Sequence, residues 1–219
     1  MLHEIGIKYN TDKSTHVYNN KSYLQIYETY FKDLKDKNLN ILEIGISNGG
    51  SLRTWKEYFK NSKIYGLDIN PSCSIHAEDR IDVTIGSQSD PYIIAKILEK
   101  CDDKIDIIID DGAHINELTS EAFKLLKDKV NPGGFYIIED LDCSYIDEIH
   151  LFSNTWPGMS YNNNYNFKNN RKELDDIFNG IIRDMDMENY LTNYVKQKYV
   201  SEFSFIHFYP RLAIMKKKD

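Results

Sequence analysis

No run of this 219-residue sequence approaches the roughly 20 consecutive apolar residues that a membrane-spanning helix needs, so no membrane span is expected. The N-terminus, MLHEIGIKYN, has neither the basic stretch nor the apolar core of a secretory signal, which points to a cytoplasmic location. Cysteine is scarce. Cys73, Cys101 and Cys143 are widely separated, form no CxxC pair and cannot all be joined within one chain, which disfavours zinc ribbons and disulfide-built secreted scaffolds. Positive charge is in deficit as well. Thirty-four acids against 27 bases leave a net charge of −7, which argues against broad capture of a nucleic-acid backbone. The one basic cluster, Lys216, Lys217 and Lys218, reads as a solvated tail.

What is present has the size and pattern of a single α/β domain over residues 1–219. Leu24, Tyr27, Phe31 and Leu34 recur at spacings of three and four, the stripe of an amphipathic helix over residues 23–34. Apolar runs at 40–45, 63–69, 81–85, 105–110 and 135–140 read as strands buried on both faces. Helical patterns at 51–59, 91–101 and 116–130 lie between them, the last stopped by Asn131-Pro132-Gly133-Gly134. Alternating strands and helices imply right-handed crossovers and a parallel doubly wound sheet. Residues 142–170 show no period and are read as a long loop, a lid or substrate loop. A helix over 172–198, broken at Gly180, and a strand pair at 200–209 and 211–216 with its turn at Pro210 complete the pattern. A parallel sheet finished by an antiparallel hairpin resembles Rossmann-like class I methyltransferases rather than nicotinamide dehydrogenases.

Chemistry concentrates where strands end. The first run leads into Glu43-Ile44-Gly45-Ile46-Ser47-Asn48-Gly49-Gly50-Ser51, a glycine turn opening a helix without the GxGxxG spacing of a pyrophosphate cradle. A cofactor without phosphates can lie across Gly45 and Gly49. Asp68 closes the second strand about 20 residues on, where an acid accepts hydrogen bonds from ribose hydroxyls. The fourth strand ends in Asp110-Asp111-Gly112-Ala113-His114 and the fifth in Glu139-Asp140. Asp111, Glu139 and Asp140 should meet in one crevice, and three carboxylates there call for a hard cation, Mg²⁺ first. Asp111 as a helix cap is the plainer alternative. His114 suits a general base beside a metal-bound alcohol, or a metal ligand. The segment from Tyr9 to Tyr18 reads on its own as a surface turn with an N-cap.

These residues resemble a family of small metal-dependent, S-adenosylmethionine-dependent O-methyltransferases that includes the mycinamicin and macrocin sugar methyltransferases. The resemblance runs nearly the full length: Thr11-Asp12-Lys13 with His16 and Tyr18, the Leu42–Ser51 stretch followed by Leu52-Arg53-Thr54-Trp55, Gly66-Leu67-Asp68-Ile69, Gly86-Ser87-Gln88, Ile109 to His114, Pro132-Gly133-Gly134, Ile138 to Leu141, and Ile206-His207-Phe208-Tyr209. It implies that Asp111, Glu139 and Asp140 bind Mg²⁺ and that His114 is the general base. It also implies that Glu43, Gly45, Asn48, Ser51, Asp68, Gln88 and Asp110 line the adenosylmethionine site, with Thr11, Lys13 and His16, in the covering segment 1–38, over its amino-acid end. Ser87 departs from the family's usual Asp, and residues 142–170 match nothing in it.

The expected activity is Mg²⁺-assisted transfer of a methyl group from S-adenosylmethionine to a hydroxyl of a sugar, or of a glycosylated or nucleotide-linked acceptor, destined for a glycan or natural product. Tyr145, Trp156 and Tyr161 in the long loop offer polar and aromatic surface to such an acceptor. No nucleic-acid partner is expected, and assembly into a homo-oligomer is left open. Two rivals stand beside it: an Fe(II)-dependent oxidoreductase using His114 with two acids, and a nucleotide-sugar binding protein without catalysis.

Overall fold

Short isoleucine-rich runs with both faces buried build a seven-stranded sheet in the computed structural model, which describes residues 1–146, 170–188 and 200–219. Two brief strands, β1 (Val17–Tyr18) and β2 (Lys21–Ser22), form a separate antiparallel ribbon. The main sheet comprises β3 (Asn40–Ile44), β4 (Lys63–Asp68), β5 (Ile81–Ile85), β6 (Ile105–Asp110), β7 (Val130–Ile138), β8 (Phe203–Tyr209) and β9 (Leu212–Lys217). Their order is β5-β4-β3-β6-β7-β9-β8, with β3 to β7 parallel and β9 antiparallel to both neighbours. This is the class I methyltransferase fold. Connections from β3 wind outward in opposite directions, so the switch point, where ligands of open α/β sheets bind, lies at the carboxyl ends of β3 and β6.

Strand side chains alternate between faces, and each face meets its own helices. On one side α1 (Leu2–Lys8), α2 (Tyr23–Phe31) and α3 (Gly50–Tyr58) pack with Ile41, Ile107, Ile109, Phe135 and Ile137. The other side receives α4 (Pro91–Lys100), α5 (Asn116–Leu126) and α6, the helix Lys172–Met187, over Leu42, Ile44, Ile108, Tyr136 and Ile138. The sequence starts these helices by capping. Ser22 and Gln25 form a reciprocal capping box on α2, and the Asp90 carboxylate accepts from the Tyr92 amide before Pro91 opens α4.

Several elements differ from the sequence pattern. The segment before the first predicted helix is no surface turn: α1 and a 3-10 turn at Asp12–Ser14 bury Thr11 and Lys13. The helix expected to reach residue 130 stops at Leu126, and β7 begins at Val130, taking Asn131-Pro132-Gly133-Gly134 into the strand. A register shift between Ile105 and Ile107 absorbs this irregular stretch, and the Gly133 amide donates to the Lys218 carbonyl. Helix α6 runs unbroken through Gly180 and ends at Met187; residues 189–199 lie outside the described residues. The strand predicted from residue 200 starts at Phe203.

Candidate active site

Strand parity decides which acids meet. Residues 41 and 43 of β3, 107 and 109 of β6, and 135 and 137 of β7 face α1 to α3, and continuing that alternation places Glu43, Asp111 and Glu139 on one side at the carboxyl ends of three neighbouring strands. Asp110 falls on the opposite face, where the Gln88 amide donates to both its oxygens at 3.2 and 3.4 Å. Burial, with the charge of Asp111 adding, raises the Asp110 carboxyl to about 7 against the Gly112 amide and Gln88. Gln88 in turn accepts from the Ala113 amide at 2.8 Å, fixing the turn after β6.

The three acids on the first face are gathered by a cation from the N-terminal segment. Lys13 Nζ pairs with Asp111 Oδ2, lies 2.9 Å from Glu139 Oε2 and 3.2 Å from Glu43 Oε1, and its side chain is 1% exposed. Burial works against this charge, but Asp111, Glu139 and Glu43 outweigh it and hold the ammonium well above lysine's ordinary value. The other Glu139 oxygen accepts from the Tyr27 hydroxyl at 2.6 Å. Tyr23, one turn earlier on α2, donates to Asp140 Oδ1 at 3.1 Å, and His16 packs edge-on against its ring with Nδ1 4.0 Å from that carboxylate.

Beside this cluster lies the glycine turn. Gly45 has φ +81°, and a Cβ there would come within 1.9 Å of the Asp111 carbonyl, so only glycine lets the two strand ends approach. The Asn48 carboxamide accepts from the Gly50 amide and donates to the Asn10 carbonyl, tying the turn to the N-terminal segment. Ser51 is buried in the first turn of α3, and Glu43 Oε2 accepts from the Trp55 indole at 2.9 Å. Asp68 Oδ2 accepts from the Ile46 and Ser47 amides at 2.9 and 3.2 Å, which braces the turn from β4. Ser87, the departure from the family pattern, bonds Ser89 within its own turn. Glu43 Oε1 and His16 Nδ1 are buried without hydrogen-bond partners in the structure. Glu43 Oε1 keeps the Lys13 ammonium at 3.2 Å as its ion-pair partner; buried polar atoms short of hydrogen bonds are costly, and this oxygen and the His16 ring nitrogen suit a ligand bearing both charges, such as an amino-acid group.

A cation fits the donor set a few ångströms away. Single ligand atoms of Asp111, His114 and Asp140 all lie within 4.8 Å of one another, with His114 Nε2 3.7 Å from Asp111 Oδ1 and 3.9 Å from Asp140 Oδ2. Two carboxylates with a single imidazole favour a hard or borderline ion. Glu139 stands outside this trio, and its two oxygens are engaged by Tyr27 and Lys13. His114 and Asp140 have φ of +53° and +51°, left-handed backbone that concentrates at functional positions. Arg211, also left-handed at φ +68° in the β8–β9 turn, reaches Asp140 at 3.1 Å and Asp142 at 2.9 Å.

Tyr145 sits five residues beyond Asp140, exposed, with the Arg171 guanidinium 4.6 Å from its ring centre. Trp156 and Tyr161 lie outside the described residues. Tyr23, Tyr27 and Arg211 were missed as site residues. A signal existed for the first two, since tyrosines four apart on an inward helical stripe imply polar partners in the interior; Arg211 gave none.

No family model matches the chain. It is 39% identical over 131 residues to the 8-demethyl-8-alpha-L-rhamnosyl tetracenomycin-C 2'-O-methyltransferase of Streptomyces olivaceus, covering 57% of this chain and 34% of that protein. It is 39% identical over 141 residues to the demethylmacrocin O-methyltransferase of Streptomyces fradiae (61% of this chain, 32% of that protein) and 36% identical over 140 residues to the mycinamicin VI 2''-O-methyltransferase of Micromonospora griseorubida (61% and 32%). Among solved structures, MycE methyltransferase from the mycinamycin biosynthetic pathway, in complex with Mg, SAH and mycinamycin VI, superposes with a TM-score of 0.72 at 28% identity, covering 99% of this chain and 54% of that one. The chain thus spans about a third of the length of these curated relatives and about half of MycE.

Proposed function

We propose that this chain, a relative of sugar O-methyltransferases, transfers a methyl group from S-adenosylmethionine to a hydroxyl of a sugar or glycoside, with Mg²⁺ as its cation. The observation that carries this is the trio of Asp111, His114 and Asp140 at the sheet's switch point, directly beside the Gly45 turn. Asp111 and Asp140 would hold the cation, joined by Glu139 in exchange for Lys13. Bound there, Mg²⁺ would supply Lewis-acid polarisation of the acceptor hydroxyl. Glu43, Gly45, Asn48, Ser51, Asp68, Gln88 and Asp110 are proposed to shape the cofactor cleft, under the cover of Thr11, Lys13 and His16 in the segment 1–38. His114 Nε2 takes the hydroxyl proton as the oxygen bonds to the methyl carbon and the sulfonium C–S bond breaks. Tyr145 would meet the acceptor at the rim of the cleft; residues 147–169 of the expected lid or substrate loop lie outside the described residues.

The test is incubation with S-adenosylmethionine, Mg²⁺ and a panel of free, glycosidic and nucleotide-linked sugars, read by a mass gain of one methyl group. EDTA should abolish turnover and Mg²⁺ restore it. Asp111→Asn and Asp140→Asn should lose activity while remaining folded. His114→Ala should lower kcat by about 10²–10⁴-fold, the usual share of a general base, with cation and cofactor affinities retained. Because His114 stands within the trio itself, the alternative is a ligand role, and a large loss of cation affinity in the same variant would assign it. The relatives reported above all carry O-methyltransferase names, which weighs against the iron oxidoreductase and the non-catalytic binder. Turnover with 2-oxoglutarate and Fe(II) in the absence of adenosylmethionine would reverse that.

A further inference from the structure

One buried ammonium connects the two halves of the site. Lys13 Nζ touches Asp111 and Glu139, which belong to the proposed cation site, and also Glu43, which lies under the Gly45 turn of the proposed cofactor cleft. An ammonium and a divalent cation sharing the same carboxylates repel each other, and in an interior this dry the repulsion is little screened. For a cation to take Asp111 and Glu139, Lys13 has to yield those oxygens and find an anion elsewhere. Glu43 Oε1, buried and already 3.2 Å from the ammonium, is one acceptor within reach. The other anion such a cleft would receive is the carboxylate of an amino-acid-bearing cofactor.

We infer that Lys13 is a positioning residue that couples the two ligands: the cofactor's carboxylate draws its ammonium off Asp111 and Glu139, so each of cofactor and cation strengthens binding of the other. The reciprocity is required by thermodynamic linkage. The inference rests on reading the cleft as a site for adenosylmethionine and a cation, and binding measurements test it without turnover.

Titration calorimetry of S-adenosylhomocysteine with the full chain, in EDTA and in Mg²⁺, should show affinity at least about fivefold higher with the cation, the lower end of usual coupling factors. 5′-Methylthioadenosine has the nucleoside and thioether but no amino-acid group, and its affinity should be the same in both buffers. Lys13→Met should reduce the coupling for S-adenosylhomocysteine below about twofold, and Lys13→Arg, which keeps a cation, should retain a larger share. Lys13→Met leaves buried carboxylates uncompensated, so thermal unfolding should show it losing stability in EDTA and regaining more on Mg²⁺ addition than the parent chain does. If that variant does not fold, the comparison of the two nucleosides on the parent chain decides. Unchanged S-adenosylhomocysteine affinity on adding Mg²⁺, or equal coupling for methylthioadenosine, overturns the inference. No S-adenosylhomocysteine binding in either buffer overturns the reading of the cleft itself, and the inference with it.

Discussion

At the scale of single residues, the site is governed by burial of charge. Burial raises the Glu43 carboxyl, with help from Asp111 and against Lys13, Ser51 and Trp55, to about 7 from an ordinary value of 4.5. The folded chain therefore keeps a proton that the unfolded chain has released, and stability attributable to Glu43 falls as pH rises from about 4.5 to about 7. In chelator, urea unfolding at pH 5 and pH 7 should show a decline to which Glu43 contributes about 2 kcal/mol, and Glu43→Gln should lessen it by that share, leaving the part due to Asp110. Equal slopes for the two proteins would mean that Glu43 stays ionised throughout. Gly45 gives a test of geometry instead of charge. Gly45→Ala meets both a left-handed backbone and the Asp111 carbonyl, so a loss of roughly 2–4 kcal/mol or failure to fold is expected, measurable by the same titration.

At the scale of elements, α2 is a lever whose seating sets two of the site's hydroxyls. Its start is fixed by Ser22, fully buried, which accepts from the Gln25 amide and also bonds His3 Nδ1 at 2.8 Å. Ser22→Ala should cost about 1–2 kcal/mol in urea unfolding, and a change below 0.5 kcal/mol would show the cap to be dispensable. What the sequence revealed about elements follows their periodicity. The strands at 81–85 and 105–110 coincide with β5 and β6, because continuous apolar runs bounded by turn residues have one reading. Asp111, His114 and Asp140 were legible for the same reason, since residues just past strand ends in such a sheet face one crevice. Helix α1 was not. Only Leu2 and Gly6 of its seven residues are buried, too few to make a stripe. Without α1 the burial of Lys13 was out of reach, and an isolated Thr-Asp-Lys-Ser reads as solvent-facing by composition alone. Proline and glycine hid the early start of β7 in a similar way, because their turn signal is local while the pairing of Val130 with Ile105 is not.

At the scale of the whole molecule, the described residues include no helix long and apolar enough to cross a membrane, as the sequence implied. All three thiols are buried, and burial raises each: Cys73 to about 11, Cys143 to about 12, and Cys101 above its ordinary value. The thiolate is the reactive form, so the native chain at pH 8 should react slowly or not at all with a colorimetric disulfide reagent and release three equivalents once unfolded. Prompt reaction of one equivalent would place a thiol at an open surface. The contacts that shape the acid cluster also span the chain. Lys13 reaches Glu139 across 126 positions and Tyr23 reaches the Arg211 carbonyl across 188. During synthesis, then, the early segment waits on the ribosome for partners translated some two hundred codons later. Until the β8–β9 turn emerges, Asp140 lacks its guanidinium, and a nascent chain carrying every strand-end acid already named still holds an unfinished acid cluster.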